Sequence, residues 1–125
     1  MSTARRPERW AVDAGEADVA VLTIPAVLHH DRVFDLDVRM EVRVPDLDGA
    51  TSTSSASHGL SVELDGRREW SRDIASSNPG QTDSLDYHCR REVPAGEPLR
   101  VRVQTRVQGV RRRSLIIEAL ESIDA

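Results

Sequence analysis

From Phe34 to Val44 the chain alternates without a fault. Phe34, Leu36, Val38, Met40, Val42 and Val44 are apolar, and Asp35, Asp37, Arg39, Glu41 and Arg43 between them are charged. A side-chain period of two places all the apolar residues on one face of an extended strand and all the charges on the other. Such a strand is stable only when a second layer covers its apolar face. Leu99, Val101, Val103, Thr105 and Val107 repeat the pattern against Arg100, Arg102, Gln104, Arg106 and Gln108 until Gly109 breaks it. Leu60, Val62 and Leu64 alternate with Ser61 and Glu63 up to Asp65-Gly66, a dipeptide suited to a tight hairpin, and the return strand is expected over 67–74.

The remaining segments read as further strands. Val19 to Ile24 is a continuous apolar run ended by Pro25, which predicts a strand covered on both faces. Leu85, Tyr87, Cys89 and Val93 mark one face of another strand, with Arg91 the exception. The tail is ambiguous. Leu115-Ile116-Ile117 favours a strand and 118–121 a short helix capped by Ser114; the strand is preferred because the preceding strand needs a partner. The small polar stretch 51–57 is expected to be a loop. About eight strands, with turns roughly every 8–12 residues, predict an all-β antiparallel sandwich of jelly-roll-like form.

At 125 residues the chain suits a flexible start over 1–7 and one sandwich domain over 8–125. Its single cysteine excludes an internal disulfide, and Cys89 on the apolar parity is expected to be a buried, inert thiol. No apolar run approaches the roughly 20 residues of a membrane span, and the first residues lack a secretory apolar core, so a soluble cytoplasmic protein without membrane contact is expected. The net charge of −4 argues against nucleic acid as a partner. All 17 basic residues are arginine, which excludes Schiff-base chemistry and a P-loop lysine. No cofactor is expected.

Trp70 is one of few aromatic residues, and the hairpin decides where it points. A two-residue turn at Asp65-Gly66 pairs Ser61 with Trp70 and sends the indole outward. A three-residue loop pairs Leu60 with Trp70 and sends it inward; this register is preferred, because burying an indole outweighs a surface pair. The charged faces of strands 34–44 and 99–108 would form a cross-strand ladder if the two were neighbours.

Candidate ligand-binding residues are Trp70, Arg72, Asn78, Asp83, Asp86 and His88, because the segment 78–88 gathers the densest mix of polar groups near the indole. Among metal ligands, only a loop could aim His29 and His30 at one ion, with Asp31 beside them. A calcium site at Asp46 and Asp48 lacks the loop length of an EF-hand. No catalytic residue is assigned, since no nucleophile motif is present and His88 and Cys89, adjacent on a strand, point apart.

The segment 58–70, with Gly-Leu-Ser-Val-Glu-Leu-Asp-Gly-Arg-Arg-Glu-Trp, resembles the Val-x-Val-Asn-Gly hairpin common in jelly-roll carbohydrate-binding modules. The resemblance implies a sandwich and a polar small ligand or glycan. The leading expectation is therefore a non-enzymatic binding module. The alternatives are an interaction protein, as homodimer or accessory subunit, using an arginine-rich sheet face, and a small enzyme with a histidine or metal site.

Overall fold

The computed structural model describes residues 6–45, 56–76 and 79–123. Among them are eight strands and no helix: β1 (Arg9–Asp13), β2 (Val19–Ile24), β3 (Arg32–Arg43), β4 (Ser57–Leu64), β5 (Arg67–Ala75), β6 (Thr82–Val93), β7 (Leu99–Gln108) and β8 (Arg111–Glu121). The tail is thus a strand, and Ser57, placed in a loop from the sequence, opens β4. Residues 51–55 and the Asp46–Asp48 cluster lie outside the described residues, as do residues 1–5 of the expected flexible start.

The strands form two antiparallel sheets, ordered β1-β8-β3-β6 and β2-β7-β4-β5. The pairs β1–β8, β2–β7, β3–β6 and β4–β5 are those of a single long hairpin with arms of four strands each. Pairs β3–β8 and β4–β7 arise where that ribbon wraps upon itself. This is a jelly roll. Its tip is Asp65-Gly66, whose φ angles of 52° and 82° are both positive, as a two-residue type I′ turn requires.

Alternation builds the core. Phe34, Leu36, Val38, Met40 and Val42 of β3 meet Leu60, Val62 and Leu64 of β4 between the sheets, with Val101 and Val103 of β7 and Leu115 and Ile117 of β8 beside them; all are buried. Each such side chain contributes about 1.5–3 kcal/mol on burial. The run 19–24 behaves differently from its expectation. β2 is an edge strand: Ala20, Leu22 and Ile24 are buried, whereas Val21 is 38% exposed on the outer face. A continuous apolar run cannot by itself distinguish a central strand from an edge strand carrying one extra valine.

β3 and β7 are not neighbours, so the expected ladder between them does not form. Each charged face finds other partners. On β3, Asp35 meets Arg90 at 3.2 Å, Asp37 meets His88 at 3.5 Å and Arg39 meets Asp86 at 3.7 Å, all from β6. On β7, Arg102 meets Glu63 of β4 at 3.5 Å and Arg106 meets Asp73 of β5 at 2.9 Å.

Candidate functional site

The hairpin resolves the position of Trp70 by a route outside both expected registers. Leu64 pairs with Arg67 and Glu63 with Arg68, as a two-residue turn dictates; a β-bulge then leaves Glu69 unpaired and sets Val62 opposite Trp70. The expected three-residue loop is absent, yet the indole points inward, on the same side as Val62. There it stacks on Tyr87 of β6, with ring centroids 4.8 Å apart. Arg91, the charged exception on the core parity of β6, reaches Glu69 at 3.6 Å and Asp65 at 3.7 Å. An aromatic pair and a forked ion pair thus close the seam between edge strands β5 and β6. Burial raises the Tyr87 hydroxyl to about 12, with Cys89 and the charge of Glu69 adding to the effect.

The other expected ligand residues do not converge on that seam. Arg72, opposite Leu60, shares the inward parity of Trp70 but is exposed at the edge. Asp86 and His88 stand on the opposite, outer face of β6 and line neighbouring open depressions of about 360 and 350 Å³. Asp83 has the inward parity of Leu85 and lies near His58. Asn78 is outside the described residues. Cys89 is free and half-buried between the sheets, more accessible than expected. Trp10, Phe34, Trp70 and Tyr87 all have inward parity, so none of the four aromatic rings forms a platform on an outer sheet face.

In the sequence His58 stands out only as one of four histidines, with no diagnostic ligand spacing. It lies on the core face of β4, with Nδ1 2.7 Å from Ser76 Oγ. Burial lowers its pKa below the usual 6.5, partly offset by the charge of Asp83 and the backbone of Ser84.

A second polar group occupies one end of the roll. The Arg32 side chain is fully buried. Its Nη1 donates to Glu8 Oε1 at 2.9 Å and Oε2 at 3.1 Å, its Nη2 donates to the Pro25 carbonyl at 2.8 Å, and its guanidinium lies 5.3 Å from the Phe34 ring centroid. Trp10 Nε1 also donates to Glu8 Oε1, at 3.0 Å. The backbone N–H of Glu8 donates to Glu121 Oε1 at 3.0 Å, and that of Glu121 donates to the Glu8 carbonyl at 2.8 Å. A buried guanidinium is tolerated only with such pairing.

His30 joins this group, with one ligand atom each from His30, Glu8 and Glu121 within 4.8 Å of one another. The expected metal trio therefore separates: His29 is exposed, and Asp31 Oδ1 accepts the Ala95 N–H at 2.8 Å. Glu8, Arg32 and Glu121 were missed from the sequence. The available signal was parity, since Arg32 extends the apolar face of β3 backward and Glu121 extends that of β8 forward.

A third arrangement lies on the outer face of the β2-β7-β4-β5 sheet. Gly59, Ser61 and Ser71 keep its centre low, and Arg106 lies across it. The guanidinium of Arg106 donates to both Asp73 oxygens at 2.9 and 3.2 Å, to Ser61 Oγ at 2.6 Å and to Ser71 Oγ at 3.2 Å. A Cβ at Gly59 would overlap Asp73 Oδ1, so glycine leaves the room that this carboxylate occupies. The same face carries Arg68, Arg100 and Arg102, with Glu63 as a second carboxylate. Among the described residues, neither the Arg68 nor the Arg100 side chain has an ion-pair partner.

No protein-family model and no curated protein sequence matches this chain. Among solved structures, it is similar to dimeric latent PorU from Porphyromonas gingivalis, with a TM-score of 0.54 at 9% identity. The match covers 92% of this chain and 11% of PorU. It is a likeness of fold, to a small part of a much longer protein.

Proposed function

We propose that this jelly roll is a non-enzymatic interaction module whose arginine-bearing outer face, on the β2-β7-β4-β5 sheet, docks an acidic protein surface. The observation that carries the reading is the composition of that face. Among the described residues, Arg68, Arg100, Arg102 and Arg106 surround a floor of Gly59, Ser61 and Ser71 and outnumber the carboxylates of that face, Glu63 and Asp73, with Asp65 at its edge beside Arg100. Arg106 is already held by four hydrogen bonds, so a partner would order few further side chains there. Arg68 and Arg100 retain their charge for a carboxylate brought by the partner, a complementarity that acts mainly on association rate and specificity.

This reading stands ahead of the glycan-binding one because the aromatic rings that would stack a sugar are turned inward, with Trp70 and Tyr87 engaged on each other. The test is retention on an immobilised glutamate-rich peptide at low salt. Wild-type protein is expected to bind and to elute as salt rises, and Arg68→Glu/Arg100→Glu to pass through with an unchanged melting temperature. Equal retention of both proteins would overturn the reading.

A further inference from the structure

We propose that Glu8, His30 and Glu121 form a binding site for one divalent metal ion that accepts mixed nitrogen and oxygen ligands, zinc or manganese. Two observations carry this. One ligand atom from each residue lies within 4.8 Å of the other two, although the residues come from the lead-in to β1, the β2–β3 connection and the end of β8. Independently, His30 Nε2 is buried and makes no hydrogen bond. A buried nitrogen left in that state is unfavourable, and coordination removes the cost.

One imidazole nitrogen and two carboxylate oxygens form a donor set that suits zinc or manganese, with water completing the shell. Metal–ligand distances of about 2.0–2.2 Å bring three such donors to roughly 3.4 Å of one another, so binding requires an inward movement on the order of 1 Å. Arg32 both helps and limits the site. With Trp10 Nε1 it orients the Glu8 carboxylate, as hydrogen bonds behind a ligand commonly do. Its positive charge also weakens attraction for the ion, and Oε1 already accepts two hydrogen bonds, whereas Oε2 accepts one and keeps lone-pair capacity for the metal. A bound ion would tie the first and last strands to the β2–β3 connection, a structural role rather than a catalytic one.

The test is calorimetric titration of chelator-treated protein with zinc chloride and manganese chloride, with cobalt(II) absorption as a spectroscopic readout. One ion per chain and a raised melting temperature are expected. His30→Ala should lose at least tenfold in affinity, whereas His29→Ala, at the exposed neighbour, should bind as wild type. Absence of saturable binding, or equal affinity in His30→Ala, overturns the proposal. If His30→Ala does not fold, ring resonances of His30 that stay unmoved on metal addition to the wild type overturn it equally. Arg68→Glu/Arg100→Glu should leave metal binding unchanged, which separates this site from the docking face.

Discussion

Trp70 and Tyr87 belong to different sheets, yet their rings stack with planes 21° from parallel across the seam between β5 and β6. No backbone hydrogen bond joins those two strands in the described ladders. The aromatic pair, with Arg91 beside it, therefore fastens the two edges by side chains alone. In urea unfolding, a double-mutant cycle with Trp70→Ala and Tyr87→Ala should give a coupling of about 0.5–1.5 kcal/mol, with each single change costing more than the coupling. Additive losses would show that the rings act independently.

Tyr87 is the only tyrosine, so its ionisation is directly visible in near-ultraviolet absorbance. Its hydroxyl should titrate near 12 in the folded protein and near 10 after unfolding. Between those values the folded state binds the extra proton, so stability should be intact below about pH 10 and fall as pH rises toward 12. A folded-state titration near 10 would contradict the partly buried placement of Tyr87 against Trp70.

His58 gives the opposite slope. Its folded pKa lies below 6.5, so in the acidic range the unfolded chain binds the extra proton. Stability should be fully present above about pH 7 and decline as pH falls through 6.5. Denaturation curves for wild type and His58→Gln should converge toward acid pH. Parallel curves would remove His58 as a source of acid sensitivity.

Gly59 and Asp73 predict a coupled effect. Glycine inside a strand ordinarily costs about 0.5–1 kcal/mol relative to alanine. Here an alanine would displace the Asp73 carboxylate from Arg106. The pair is partly exposed, with side chains 39% and 61% accessible, and should contribute only about 0.5–1 kcal/mol. Gly59→Ala should therefore be close to neutral in the wild type, where gain and loss offset each other, and stabilising by about 0.5–1 kcal/mol in Asp73→Ala, as read by chemical denaturation.

Much of this fold was legible because alternation records burial directly. The patterns at 34–44 and 99–108 placed two central strands, and Asp65-Gly66 marked what proved to be the tip of the whole roll. The bulge at Glu69 was not legible, since no local residue preference announces it. It reversed the direction that a two-residue turn would otherwise impose on Trp70. The candidate ligand set failed for a related reason. Asp83, Asp86 and His88 are close in sequence, but strand parity sends Asp83 inward and the other two outward. His30 and His29 look alike in sequence, and only the long-range pairing of β1 with β8 brings Glu8 and Glu121 to one of them.

On the proposed reading, docking belongs to one face and not to the net charge of the molecule. The most direct measurement compares two double reversals of equal charge for binding to a glutamate-rich peptide at fixed ionic strength. Arg68→Glu/Arg100→Glu alters the proposed face, and Arg43→Glu/Arg111→Glu alters the outer face of the other sheet. The first should lose at least tenfold in affinity while the second stays within about twofold of the wild type, a difference of about 1 kcal/mol or more between them. Equal losses from both would contradict it.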